Sequence, residues 1–120
     1  MRRWISQHHE LNFVYALDLK GKGGLGQCWE AFGEPNCFPV PTLVGACCNK
    51  EFFYDIMYNT YVPQIEKAIA RIPTDKPIIP FPKIGLGCSR MREFAPKMYA
   101  HLISLIEKIQ YQNIKYAQTT

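Results

Sequence analysis

Two short glycine-rich segments hold the residues of this sequence best placed to do chemistry. They are Gly21-Lys22-Gly23-Gly24-Leu25-Gly26 and Lys83-Ile84-Gly85-Leu86-Gly87-Cys88, and they contain most of the chain's eight glycines. Glycine admits positive φ, and with no Cβ its backbone N–H can come close to an anion. A helix starting just after such a loop adds unpaired N–H groups of its own. A pyrophosphate gripped from both sides is the natural ligand of two such loops. Asp18 directly precedes the first loop and can accept a hydrogen bond from a ribose hydroxyl or a base amine. Arg90 follows the second and can clamp a phosphate with its planar fork. Asn36, after Glu34-Pro35, can either anchor backbone or touch a ligand. Trp29, Phe32, Phe52, Phe53 and Tyr54 supply rings that can stack on adenine or fill a core.

Other chemistries fit less well. Gly21-x-Gly23-x-x-Gly26 has the letters of a dinucleotide fingerprint, but that motif needs an acid about 20 residues further on. Residues 41–49 contain neither Asp nor Glu. A Walker loop is excluded, because no Gly-Lys-Ser/Thr follows. The five cysteines are odd in number and form no Cys-x-x-Cys, and His8, His9 and His101 stand at no finger-like spacing from them. No zinc site and no cofactor is predicted, and the cysteines read as reduced thiols. The net charge of +4 comes from scattered residues rather than a dense basic stripe, which argues against a nucleic-acid partner.

The elements around these loops follow from hydrophobic spacing. Residues 3–9 have weak helical character. Residues 11–17 form a short apolar run that reads as a buried strand, and residues 27–32 as a short helix. Residues 36–41 read as a second strand, and its two prolines restrict it to an edge or a short stretch. Phe52, Phe53 and Ile56 suggest a short helix. Residues 61–72 form a clear one, with Pro63 in its first turn and Val62, Ile65, Ala68, Ile69 and Ile72 on one face. Residues 78–81 give a third strand. Residues 94–109 give a final helix with Met98, Leu102, Leu105 and Ile109 on one face, and residues 114–116 a last strand.

Strands alternating with helices predict an α/β fold. Its expected form has three layers, with a mostly parallel sheet and helices on both faces. Both glycine loops then lie at carboxyl ends of strands, where ligands bind in open sheets. If their strands are neighbours, the two loops face one cleft. The 120 residues, 48% hydrophobic, predict a single domain over residues 1–120. No apolar run approaches the roughly 18 residues of a membrane helix, and no apolar stretch follows the basic Arg2-Arg3, so the expectation is a cytoplasmic protein with no membrane partner.

The stretches Asn12-Phe13-Val14-Tyr15-Ala16-Leu17-Asp18-Leu19, Gly23-Gly24-Leu25-Gly26-Gln27, Gly33-Glu34-Pro35-Asn36, Val40-Pro41-Thr42 and Pro80-Phe81-Pro82-Lys83-Ile84-Gly85-Leu86-Gly87 stand in an order that resembles small macro-domain-like proteins of bacteriophages. The resemblance spans roughly residues 4–109, and Gly-Glu-Pro-Asn is its most specific part. It implies a macro-domain-like fold that binds an ADP-ribose-type, NAD-derived nucleotide. It assigns Gly23, Gly24, Leu25 and Gly26 to one side of the diphosphate, and Gly85, Leu86, Gly87 and Cys88 to the other. Asp18 and Arg90 complete the implied ligand-binding set. The phage-type pattern ends its first strand in Gly-Asp-Asn-Leu, whereas this chain reads Ala16-Leu17-Asp18-Leu19. Leu17 replaces the usual acid, and Asp18 the usual Asn. That loss points to binding without assigned catalytic residues. The implied role is a phage anti-defence sponge that sequesters an immune signalling nucleotide in the host cytoplasm, and a sponge of this size is expected to form homo-oligomers. An ADP-ribosyl hydrolase using Asp18, or a protein-interaction module with structural glycine turns, are the competing functions.

Overall fold

The computed structural model describes the chain except for residues 1, 21–30, 32, 46–48, 82 and 120, and except for the side chains at 2, 88 and 111–119. Helix α1 (Arg2–Ser6) leads into strand β1 (Asn12–Asp18). Strand β2 (Cys37–Leu43) follows, and a 3-10 turn (Asp55–Met57) then leads into helix α2 (Tyr58–Ala70). Strand β3 (Ile78–Pro80), a second 3-10 turn (Gly87–Ser89), helix α3 (Met91–Phe94) and the long helix α4 (Pro96–Thr119) complete the order.

The fold is α/β, with a small open parallel sheet in the order β2-β1-β3. β1 is central because its residues are apolar on both faces, with Phe13, Val14 and Tyr15 all buried. Val14, together with Val40 and Ile78 of the neighbouring strands, meets Val62, Ile65 and Ile69 of α2 and Met98, Leu102, Ile106 and Ile109 of α4. Phe13 and Tyr15 point the other way, into a cluster with Ile5 of α1, Ala31, Cys37 and Phe81. Each fully buried side chain of this size contributes roughly 1.5–3 kcal/mol relative to exposure. Cys37 is a free, buried thiol.

The prolines of β2 find the one place a sheet tolerates them. Phe13 N–H donates to Asn36 C=O, and Phe13 sits opposite Cys37. In that parallel register the even-numbered residues of β2 bond to β1, and Pro39 and Pro41 turn outward on the open edge. The outer edge of β3 is covered instead, since the Gln110 amide of α4 donates to Ile78 C=O at 3.3 Å. Asn36 acts as a backbone anchor. Its buried amide nitrogen donates to the carbonyls of Ile5, His8 and Leu11, and so ties α1 and the turn after it to the start of β2.

Several expected elements differ. Phe52 is not helical. It forms an antiparallel bridge with Leu43, and Phe53 fills the core stacked on Tyr61. Helix α2 starts three residues earlier than its periodicity suggested, so Pro63 lies inside it and leaves the Asn59 carbonyl without its helical donor. The final helix is broken at Ala95 (φ −136°), before Pro96, because proline disfavours helical geometry in the residue preceding it. Residues 114–116, expected as a strand, belong to α4. Three residues, Ile114-Lys115-Tyr116, are too few to stop a helix that gains one backbone hydrogen bond for each residue it adds. The expected helix at 27–32 lies outside the described residues apart from Ala31, which is helical. Among the described residues, no helix is long and apolar enough to cross a membrane.

Candidate functional site

An open groove of about 480 Å³ runs along the β2 side of the sheet. Its walls are Leu17, Asp18 and Leu19 from the end of β1, Pro39, Val40 and Pro41 from β2, and Gln64, Lys67, Ala68 and Arg71 from α2 and its C-terminus. Its size lies within the roughly 300–1,000 Å³ of small-molecule sites.

Local sequence explains each wall. Asp18 pairs with Leu43 although Leu17 pairs with Pro41, so β2 carries one extra residue, the buried Thr42. Such a bulge bends its strand and re-aims side chains, here at the carboxyl end of β1. In α2 the buried Val62, Ile65 and Ile69 define the core face, and Gln64, Lys67 and Arg71 recur at spacings of three and four along the adjoining stripe. Ala68 keeps the floor between that stripe and β2 clear. On the β2 edge, Pro39 and Pro41 have no N–H to offer, so their outward backbone presents carbonyl acceptors alone.

Charge is distributed unevenly around the groove. Asp18 is the acid among its described lining residues, and Lys67 and Arg71 are the cations. Just past β1, Lys20 pairs with Glu51 at 2.7 Å. The hydrogen bond and charge of Glu51 push the Lys20 amine above its ordinary value of 10.5, and Asp18 adds a smaller push in the same direction. Glu51 also lies against Gly45, where a Cβ would come within 2.6 Å of its carboxylate.

The sequence-derived site residues divide between two sides of β1. Asp18 lines the groove. Gly23, Gly24, Leu25 and Gly26, which follow it in the chain, lie outside the described residues. Gly85, Leu86, Gly87, Cys88 and Arg90 follow β3, which is a neighbour of β1, but Gly85, Leu86, Gly87 and Arg90 are not among the groove's lining residues. β3 pairs with β1 only as far as Val14, four residues short of Asp18.

The second loop is dominated by backbone demands. Lys83, Gly85, Gly87 and Arg90 all have positive φ, between 47° and 77°. Gly85 is doubly required, because a Cβ there would meet the Tyr99 ring at 2.9 Å, whereas Gly87 has open space around it. The N–H groups of Met91 and Arg92 both donate to Gly85 C=O. The start of α4 is also engaged, because Asp55 accepts from Lys97 N–H and Met98 N–H with one carboxylate oxygen each, both at 3.1 Å. A carboxylate from the 3-10 turn therefore occupies the helix terminus that could otherwise receive a phosphate.

Lys67 and Arg71 were not singled out in the sequence. Their signal was present as two basic residues four apart on the polar side of an amphipathic helix, a pattern that usually marks a solvated face. Only the packing of α2 against β2 turns that face toward Asp18. Of the aromatic residues offered as an adenine wall, Trp29 and Phe32 lie outside the described residues, and Phe52 packs on Phe94 with ring centroids 4.9 Å apart. Tyr54 is partly exposed beside the same Phe94 ring, away from the groove lining. Among the described residues, no three His, Cys, Asp or Glu side chains converge on a metal position.

Residues 1–105 match the model of a family of unknown function (DUF7831), and the chain belongs to that family. The groove and both glycine loops fall within the matched span. No curated protein and no solved structure matches the chain.

Proposed function

We propose that this member of the family binds an ADP-ribose-type, NAD-derived nucleotide in the β2-side groove and holds it without turnover. The observation that carries the reading is the groove itself. It opens beside the carboxyl end of a parallel strand, where open α/β sheets take ligands, and joins one acid to two cations. Asp18 accepts from the ribose or the base, and the first glycine loop, next in the chain, supplies backbone amides to the diphosphate. Leu17 supports retention over hydrolysis. It lines the groove beside Asp18 and puts an alkyl side chain where the resembling phage pattern carries an acid. In a phage, a protein of this kind would serve as a sponge for an immune signalling nucleotide in the host cytoplasm, and pairing of subunits could close an open groove.

The test is calorimetric titration with ADP-ribose, followed by heat release and mass spectrometry of the small molecule. The expected result is saturable binding and recovery of intact ADP-ribose. Recovery of hydrolysed product would favour the hydrolase, and failure to bind ADP-ribose or any of its cyclic or conjugated forms would favour a protein-interaction module.

A further inference from the structure

We infer that Lys67 and Arg71 form the phosphate-binding wall of the groove, and that the open edge of β2 faces the hydrogen-bond donors of the same ligand. The inference takes its ligand class, a nucleotide diphosphate, from the reading above.

Four observations meet here. Lys67 and Arg71 are four residues apart on one helical stripe, so two like charges lie side by side, which is mildly unfavourable until an anion sits between them. Among the described residues neither has a carboxylate partner; the ion pairs of this region and of α2 are Lys20 with Glu51, and His101 with Glu66. Both cations line the groove that Asp18 also lines. The facing strand presents the carbonyls of Pro39 and Pro41 with no N–H between them, which suits a ligand with hydroxyls or an amine and does not suit an added β-strand.

Charge balance asks for such a wall. Glycine-loop amides offer dipoles, not net charge, and a diphosphate carries two negative charges. On the side of the second loop, Tyr99 packs over Gly85, Asp55 already caps α4, and the exposed cation Arg90 does not line the groove. The cations of α2 supply what the amides do not. The ligand lies along the groove, with phosphates on α2 and ribose hydroxyls on the β2 edge and Asp18.

A structural role is the competing explanation. Basic residues near a helix C-terminus interact favourably with its dipole. Binding and stability separate the two. The full chain is titrated with ADP-ribose and, separately, with inorganic pyrophosphate. The wild type is compared with Lys67→Gln, Arg71→Gln, the double variant, and Lys108→Gln as an exposed charge control on α4. The expected result is about tenfold weaker ADP-ribose binding for each single variant and about a hundredfold for the double, with the control unchanged and melting temperatures close to wild type. Affinity is also expected to fall as salt rises, less steeply in the double variant. ADP-ribose binding that survives the double variant overturns the phosphate wall and leaves the nucleotide reading standing. A protein that binds pyrophosphate through Lys67 and Arg71 but ignores ADP-ribose keeps the wall and loses the nucleotide. Lowered melting temperature with unchanged affinity assigns both residues to the helix dipole and overturns the inference, as does a wild type that binds neither probe.

Discussion

The two flanks of β1 differ in how their strand pairing ends and in what lies beside it. On the β2 side the pairing runs the length of the strand, ends in a bulge, and leaves an open groove with an acid and two cations. On the β3 side the pairing stops after three residues, and the glycine-rich segment that follows turns through positive φ at Lys83, Gly85 and Gly87. There Gly85 lies under Tyr99, and Asp55 seals the start of α4. The glycines of the second loop are spaced for an anion loop, yet its backbone also meets packing demands that spacing alone does not reveal. Within the second loop the same contrast recurs over two residues, between a glycine with a ring against it and one facing open space.

That contrast can be broken by substitution. Gly85→Ala is expected to have the largest effect, about 2–4 kcal/mol in denaturant unfolding, because it adds a left-handed-backbone penalty to overpacking against Tyr99. A cost below about 1 kcal/mol would mean that the Tyr99 contact is not fixed. Asp55→Ala is expected to lower stability by about 1–2 kcal/mol, readable as a fall in melting temperature, since two first-turn amides lose their acceptor. Gly87→Ala should cost about 1 kcal/mol, from backbone conformation alone. Equal effects at Gly85 and Gly87 would erase the distinction between them. On the groove side, replacing Lys67 and Arg71 by Gln should leave stability within about 0.5 kcal/mol, because both are exposed.

The smallest effect concerns pH. Lys20 has a raised folded-state pKa, so its contribution is fully present below the ordinary value of 10.5 and is lost as pH rises through the higher folded value. Glu51→Gln should bring the Lys20 titration, followed by NMR, back down toward 10.5. The exposed position of the Lys20 amine keeps the associated stability change small.

Much of the fold was legible in the residues. The apolar runs at β1 and β3 and the amphipathic spacing of α2 and α4 marked those elements, and the prolines of β2 marked a strand that is either at an edge or short. Boundaries were less legible. Phe52 and Phe53 look helical by spacing from Ile56, yet one bridges to Leu43 and the other packs on Tyr61, partners that lie beyond the three- and four-residue reach of helical spacing. The groove was the least legible part. Asp18 could be marked by its place before a glycine loop, but Lys67 and Arg71 lie about fifty residues further on, and nothing local to them distinguishes a ligand wall from a solvated face.

Local physical chemistry set the parallel α/β order, the confinement of β2 to an edge or a short stretch and the need for positive φ in the second glycine loop, because periodicity, proline and glycine act within a few residues. Tertiary structure decided the rest. It placed Tyr99 over Gly85, brought the Asp55 carboxylate to the start of α4, and turned the basic stripe of α2 toward Asp18 across β2. These depend on which surfaces meet when two helices cover one face of a three-stranded sheet, and that is a property of the packed chain as a whole.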